Sequence, residues 1–176
     1  MQIKSRHGQP GLFIAVEGVD GCGKTTAAKI LTGLIKEALP QEQVTSIRAP
    51  GATMAGERIR DILLTQPMSK YSELMLFMAS HRDTIEAVID PAVEQGKILI
   101  CDRFIDTTYA YQGFGRGLLH EVALLHDQML GARQPDYTIY INASLDICSR
   151  RLDARGNKDI FDAMALETRS RIHGGM

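Results

Sequence analysis

The sequence predicts an α/β fold, a three-layer sandwich in which a parallel sheet lies between two layers of helices, and three observations carry that prediction. Apolar runs of strand length alternate with stretches of helical period along the chain. The run from Lys97 to Cys101, Lys-Ile-Leu-Ile-Cys, is the continuous apolar kind that a strand covered on both faces requires. The first run, starting at Phe13, breaks at Gly18 into glycines and then a Lys-Thr pair, as a strand does when it gives way to a phosphate-binding loop and a helix.

The 176 residues fit one domain, 1–176, and can bury a sizeable core. Apolar residues make up 44% and charged residues 23%, ordinary globular values. A net charge of −1 leaves no global basic field for a nucleic-acid polymer, so any positive charge that matters is local. Cys22, Cys101 and Cys148 are widely spaced and odd in number, which argues against a disulfide framework or a zinc knuckle and for a reduced, cytoplasmic setting. No apolar run approaches about 20 residues and the polar stretch Met1 to Gly11 has no hydrophobic signal core, so neither a membrane span nor an export signal is expected.

Taken in order, Thr25 to Leu39 has apolar residues near a 3.6 period and stops at Pro40, which predicts a helix. Val44 to Ile47 is a short strand running into Arg48-Ala49-Pro50-Gly51-Ala52-Thr53, and Thr53 caps a helix to about Leu64. Lys70 to Glu94 reads as one long helix that Pro91 bends or brings to its last turns. After the Lys97 to Cys101 strand come two helical stretches, Ile105 to Tyr111 and Leu118 to Leu130, joined by the glycine-rich Gly113 to Gly117. Tyr137 to Ile141 is a fourth strand, and Ser144 or Asp146 caps a helix to about Leu152. A loop from Arg155 to Asp159 precedes a last helical segment that runs out at Gly174.

In such sheets ligands bind beyond the carboxyl ends of the strands, which gathers Gly18 to Thr25, Arg48 to Thr53 and Asp102-Arg103 at one edge. Gly18 and Gly23 bracket four residues ahead of Lys24 and Thr25, the G-x-x-x-x-G-K-[ST] spacing. Gly18, Gly21 and Gly23 let the backbone wrap an anion, and the helix opening at Lys24 adds its positive end. Lys24 can reach β- and γ-phosphate oxygens, and the Thr25 hydroxyl is placed for a magnesium ion between them. Phosphoryl transfer needs phosphates held in line and their charge neutralised. Asp20 and Asp102 supply carboxylates, Arg103 a cation at a strand end, and Arg48, Arg60, Arg150, Arg151 and Arg155 further clamps whose planar forks suit phosphate. For Arg58, Arg169 and Arg171 a solvated surface role is the plainer reading.

Glu17 to Thr26 resembles the phosphate loop of the thymidylate kinase family, usually Glu-Gly-x-Asp-Gly-x-Gly-Lys-Thr-Thr. Arg48 to Thr53 with Gly56-Glu57-Arg58-Ile59-Arg60 is similar to that family's Arg-Glu-Pro-Gly-Gly-Thr and Gly-Glu-x-Ile-Arg. Leu76-Phe77, Ile89 to Ala92, Asp102-Arg103-Phe104, Ala110 to Gly113 and Arg116-Gly117 resemble further motifs of its bacterial and phage members. The match covers roughly Leu12 to Ile172 and implies the P-loop nucleoside/nucleotide kinase topology.

The resemblance implies transfer of the ATP γ-phosphate to dTMP with Mg2+. On it, Gly18, Gly21, Cys22, Gly23, Lys24, Thr25, Thr26 and Arg151 hold the donor, and Thr25, Asp20 and Asp102 hold the metal. Lys24, Asp20, Arg103 and Arg155 act in the transfer. Arg103 clamps the dTMP phosphate, helped by Arg48 or Arg60, with Asp20 beside it and Pro50 close by. Phe77 stacks on thymine, Gln112 and Thr108 hydrogen-bond its edge, and Tyr111 packs on the sugar. A lid is implied at about 150–162, where Arg151 and Arg155 match family positions and Ile160 stands where an arginine is usual. The family's nucleotide-facing helix arginine falls on His81, with Arg82 one place later, and Ala49, Asn142 and Leu145 also depart from the pattern. A kinase of wider deoxynucleotide choice, or a nucleotide-binding protein with little turnover, is the alternative. The resemblance further implies a homodimer packed through long helices, in the cytoplasm, or the host cytoplasm if phage-encoded, with no nucleic-acid polymer and no membrane as partner. It also implies that the family's final strand and helix are missing after the last helical segment.

Overall fold

The computed structural model of the 176-residue chain describes residues 8, 10–156, 161 and 166–175. Strands β1 (Leu12–Glu17), β2 (Val44–Arg48), β3 (Ile98–Asp102) and β4 (Tyr137–Tyr140) form one parallel sheet in the order β2-β3-β1-β4. Helices α1 (Lys24–Ala38), α2 (Met54–Thr65), α3 (Lys70–Thr84), α4 (Asp90–Glu94), α5 (Ile105–Thr108), α6 (Leu119–Leu130), α7 (Leu145–Arg155) and α8 (Leu166–Gly174) connect and flank it.

Side chains alternate across the sheet, so each strand feeds two cores. Leu12, Ile14 and Val16 join Ile98, Ile100 and Val44 against Ala28, Leu31 and Ile35 of α1. Phe13, Ala15, Leu99 and Cys101 face the other way, onto Leu74 and Met78 of α3, Val122 of α6 and Phe104. Every residue of β1 and β3 is buried, as the unbroken apolar runs require. Asp136 ties β4 to β1: its carboxylate accepts from the Phe13 N–H at 2.8 Å and its own N–H donates to the Phe13 carbonyl at 2.7 Å. In register, Val16 and Arg48 both lie opposite Asp102, so three strands end together on one rim.

The expected helix from Lys70 to Glu94 is continuous but not uniform. Between α3 and α4 the residues Ile85–Ile89 form a π-helical turn, with the Asp90 N–H donating to the Ile85 carbonyl. Pro91 has no N–H to continue an α ladder, and the wider turn admits it without ending the helix. The glycine-rich connection expected at Gly113 to Gly117 is also helical for most of its length, since Tyr109–Gly115 is a π-helical segment following α5. Here glycine serves close approach: a Cβ on Gly115 would lie 2.9 Å from Ile172 Cγ1 of α8. Thr53 caps α2 as expected, its hydroxyl accepting from the Gly56 N–H at 2.8 Å. Ser144 takes the N-cap position of α7 without a side-chain cap bond. A third core beneath the phosphate loop joins Val19 and Cys22 to Leu63, Phe77, Tyr111 and Cys148.

Candidate functional site

The loop Gly18 to Gly23 leaves the carboxyl end of β1 and turns directly into α1. Gly21 has φ +81°, and a Cβ there would lie 2.5 Å from the Cys148 carbonyl oxygen of α7, so only glycine lets the loop pass under that helix. Gly23 is the N-cap of α1 with φ +107°. Lys24 is buried, its ammonium donating to the Val19 carbonyl at 2.6 Å and lying 3.8 Å from Cys22 Sγ. Burial, and then the nearby Arg103 charge, push its pKa down to about 8. The lysine therefore closes its own loop, and an arriving phosphate has to draw the ammonium away from Val19.

Thr25 Oγ1 donates to Asp102 Oδ2 at 2.5 Å. The other oxygen, Asp102 Oδ1, is buried and has no hydrogen-bond partner among the described residues. An unpaired carboxylate oxygen beside a phosphate-loop hydroxyl is a donor set suited to magnesium, which takes one or two protein oxygens and completes its shell with phosphate and water. Among the described residues no group of three or more His, Cys, Asp or Glu could hold a metal ion.

Asp20 forms an ion pair with Arg103 and accepts a hydrogen bond from the Tyr111 hydroxyl, while its backbone N–H donates to that same hydroxyl at 3.1 Å. Burial works against the Arg103 charge, but Asp20, Asp102 and Glu17 outweigh it and raise the pKa, so the guanidinium is charged throughout the working pH range. Burial and the Asp20 charge push the Tyr111 pKa up, keeping the phenol protonated. Arg103 has φ +73°, a strained setting for a residue with a Cβ. Glu17 holds that turn: one carboxylate oxygen accepts from the Phe104 N–H at 2.7 Å, the other from the Thr107 hydroxyl at 2.5 Å. Burial raises the pKa of Glu17.

These groups surround a cleft of about 600 Å³, which takes in Asp20 to Ala27, Arg48, Arg60, Asp102, Arg103 and Arg151. Arg151 reaches it from α7, donating to the Gly21 and Cys22 carbonyls at 3.2 and 2.9 Å. Arg60 donates to the Pro50 carbonyl at 3.2 Å. Arg48 makes a forked pair with Glu57 at 2.9 and 3.1 Å; both side chains are about half exposed, so the pair is easily exchanged for a phosphate. Asp20, Arg60 and Arg103 also line a second, adjoining pocket whose apolar wall includes Phe77 and Tyr111, with Pro50 at its side. One carboxylate and two arginines thus stand where the two spaces meet.

The structure brings together most of the residues singled out from sequence, with Gly18 beneath the loop, its carbonyl accepting from Arg103 at 3.5 Å. Others fall elsewhere. His81, expected beside a nucleotide, is buried with its Nε2 2.9 Å from Thr108 Oγ1 and its ring edge-on to Phe104. Burial drives its pKa down to about 4, so it is a neutral core side chain. Arg82, one position and about 100° further round the helix, points outward to Glu86 and the Met129 carbonyl. Thr108 and Gln112 are also buried, Gln112 donating to Glu73 at 2.8 Å. Arg150 bonds its own helix, at the Asp146 carbonyl. The Arg155 side chain and lid residues 157–160 and 162 lie outside the described residues.

Three residues were not singled out from sequence. Glu17 was readable as an acid ending an apolar strand, a costly place for a charge without a structural duty. Glu73 gave no sign beyond its place one turn before Phe77. Phe161 packs edge-on against Phe77 and Tyr111, at centroid distances of 5.9 and 6.1 Å, a contact that only the tertiary fold creates.

The thymidylate kinase family model matches residues 16–176. Among curated relatives, the thymidylate kinase of Pseudomonas fluorescens is 42% identical over 156 residues, covering 86% of this chain and 73% of that protein. The thymidylate kinase of Fervidobacterium nodosum is 42% identical over 143 residues, covering 80% and 71%. Among solved structures, thymidylate kinase from Ehrlichia chaffeensis superposes with a TM-score of 0.76 at 34% identity, over 94% of this chain and 83% of that one.

Proposed function

The chain belongs to the thymidylate kinase family, and from that premise we propose that it transfers the γ-phosphate of ATP to dTMP, yielding ADP and dTDP. The observation that carries this reading is the shared rim: Asp20, Arg60 and Arg103 border both the phosphate-loop cleft and the Phe77–Tyr111 pocket. In the transfer a dTMP phosphate oxygen forms a bond to Pγ as the bond from Pγ to the β,γ-bridging oxygen breaks, and ADP leaves with that electron pair. The protein's task is alignment and charge neutralisation.

Loop N–H groups and Lys24 hold the β- and γ-phosphates, with Cys22 and Thr26 contributing backbone and Arg151 closing the cleft from α7. Arg103 binds the acceptor phosphate once that phosphate replaces Asp20 as its partner, and Arg60 or Arg48 adds a second fork. Tyr111 keeps Asp20 in place during that exchange. Thr25 and Asp102 are the residues that would hold Mg2+, which when bound would neutralise phosphate charge. Asp20, also expected there, is engaged by Arg103 and Tyr111 in this arrangement. Phe77 offers the aromatic wall for the base, and Arg155 of the lid belongs to the same proposal.

We further propose a cytoplasmic homodimer. The buried side of α3, with Leu74, Phe77 and Met78, is spent on the cores, so the interface falls to its outer side, where Tyr71 and Met75 are half exposed. Light scattering at twice the monomer mass is the expected result. No helix among the described residues is long and apolar enough to cross a membrane. The central test is a coupled assay with ATP, Mg2+ and a panel of dTMP, dUMP, dGMP and dCMP. Formation of dTDP ahead of the other products is expected. Nucleotide binding without dTDP at high enzyme concentration would overturn the reading.

A further inference from the structure

The segment from Arg48 into α2 carries three groups of the acceptor side, and its shape is imposed from α3. Arg48 and Arg60 border the phosphate-loop cleft, and Pro50 and Arg60 line the adjoining pocket. The start of the segment is fixed, because the Ala49 N–H donates to the Asp102 carbonyl at 3.0 Å. From there Gly51 and Ala52 both take positive φ, +134° and +70°, and for Ala52 that conformation is unfavourable unless neighbours impose it. Those neighbours are two consecutive residues of α3. The Thr84 hydroxyl donates to the Gly51 carbonyl at 3.2 Å, sharing its hydrogen with the Ser80 carbonyl at 2.8 Å. Asp83 accepts from the Thr53 hydroxyl. That hydroxyl is at the same time the cap of α2, accepting from the Gly56 N–H at 2.8 Å. Its single hydrogen therefore goes to Asp83, and the carboxylate makes this the stronger, charge-assisted kind of bond. A Cβ on Gly56 would lie 2.4 Å from the Gly51 carbonyl oxygen, so the turn and the start of α2 are packed as one piece. Arg60 is joined to that piece, donating to the Pro50 carbonyl at 3.2 Å, and Arg48 forks onto Glu57 in the first turn of α2.

We propose that Asp83 is a positioning residue for the acceptor: through the Thr53 hydroxyl it holds the turn at 50–52 and the start of α2, and with them keeps Arg48 and Arg60 aimed at the acceptor phosphate. This deepens the dTMP kinase reading and rests on it. Asp83 itself lines neither the cleft nor the adjoining pocket, so it acts only through the segment it ties. Further along the two helices Leu63 and Phe77 share one core, and loss of Asp83 frees the turn without detaching α2. With the turn free, the arginines have to be gathered as the acceptor binds, and that ordering is subtracted from acceptor affinity. The donor phosphates belong to the loop from Gly18 to Thr26, which this segment does not carry.

The test is Asp83→Ala, assayed for both substrates. KM for dTMP should rise about tenfold, the ordinary worth of a hydrogen bond to a charged group, with KM for ATP and kcat each within about threefold. Asp83→Asn removes the charge but keeps an acceptor for Thr53, and its KM for dTMP should stay within about threefold of the unmodified protein. Because Asp83 acts through Thr53, adding Asp83→Ala to Thr53→Val should raise KM for dTMP no further. A purely structural role predicts a lower Tm with both KM values unchanged, or equal rises in both, and either outcome overturns the proposal. A KM for dTMP in Asp83→Asn as high as in Asp83→Ala also overturns it, since charge and not the bond to Thr53 would then be at work. Should Asp83→Ala not fold, Thr53→Val breaks the same bond from the other end; a rise in KM for dTMP alone is expected, and an unchanged value overturns the proposal. If the unmodified protein forms no dTDP, the kinase reading fails on its own. Calorimetric binding of dTMP then still decides the role of Asp83: a Kd about tenfold weaker in Asp83→Ala supports it, and an equal Kd overturns it.

Discussion

The two sides of the cleft are built in different ways. On the donor side most of the working groups are consecutive, Gly18 to Thr26, with only Asp102 and Arg151 added from elsewhere, and much of the chemistry is carried by backbone N–H groups that any residue supplies once glycines allow the curve. On the acceptor side Arg60, Phe77, Arg103 and Tyr111 come from α2, α3, the end of β3 and a π-helical segment. Most owe their orientation to a partner remote in sequence, as Arg103 and Tyr111 do to Asp20 and Phe77 does to Phe161. A site made of contiguous backbone is specified locally; a site made of convergent side chains is specified by packing.

Arg103 belongs to both sides, and its removal is the most damaging change expected. Arg103→Ala takes away a fully charged fork at the junction and leaves Asp20 facing the acceptor phosphate. The expected loss is on the order of a hundred- to thousandfold in kcat/KM for dTMP. ATP affinity, measured by calorimetry without acceptor, should stay within about threefold. A comparable loss of ATP binding would show that the donor side is not a self-contained unit, and the contrast between the two sides would break.

This contrast also explains what was legible. The phosphate loop and the strand ends that carry Arg48 and Arg103 were legible from spacing and from the rule that ligands sit beyond carboxyl ends of parallel strands, whereas Arg60 and Arg151 entered only as arginines suited to phosphate, alongside Arg150, which bonds its own helix. Four strands and their helices lay within a few residues of expectation because apolar period is a local signal. The two π-helical segments were not legible, since one register of extra residue leaves the apolar pattern almost intact. His81 was placed at the nucleotide by counting along the family's helix and Thr108 by the resemblance; in the structure both are buried, with His81 Nε2 2.9 Å from Thr108 Oγ1. Nothing in the residue types at 73, 112 and 116 announces that they meet.

The donor side can be probed without mutation through Lys24. Its pKa of about 8 in the free protein means that the ammonium is charged below that pH and neutral above it. kcat/KM for ATP, which reports the free enzyme, should be level to about pH 7 and drop to about a tenth by pH 9. A bound phosphate stabilises the ammonium, so kcat at saturating ATP should hold to higher pH. Unfolding does not account for such a decline. Because the folded value lies below the ordinary 10.5, the unfolded chain binds the proton more readily between about 8 and 10.5. The lysine's contribution to stability therefore rises with pH over that window. An ATP profile level through pH 9 would show that Lys24 has already left Val19 in solution.

The smallest effect expected is on the acceptor side, at the Tyr111 hydroxyl. It accepts from the Asp20 N–H and donates to the Asp20 carboxylate, so it steadies a group that Arg103 also holds. Tyr111→Phe keeps the ring that walls the base pocket and removes one hydrogen bond to the Asp20 carboxylate and one from the neutral Asp20 N–H, while Arg103 remains to satisfy Asp20. KM for dTMP should rise about two- to tenfold, the ordinary worth of a single hydrogen bond, with KM for ATP unchanged. A rise in KM for ATP instead would mean that Asp20 works chiefly with the donor phosphates and their metal. A shift in kcat alone would place the hydroxyl in the transfer step rather than in holding Asp20 clear of the incoming phosphate.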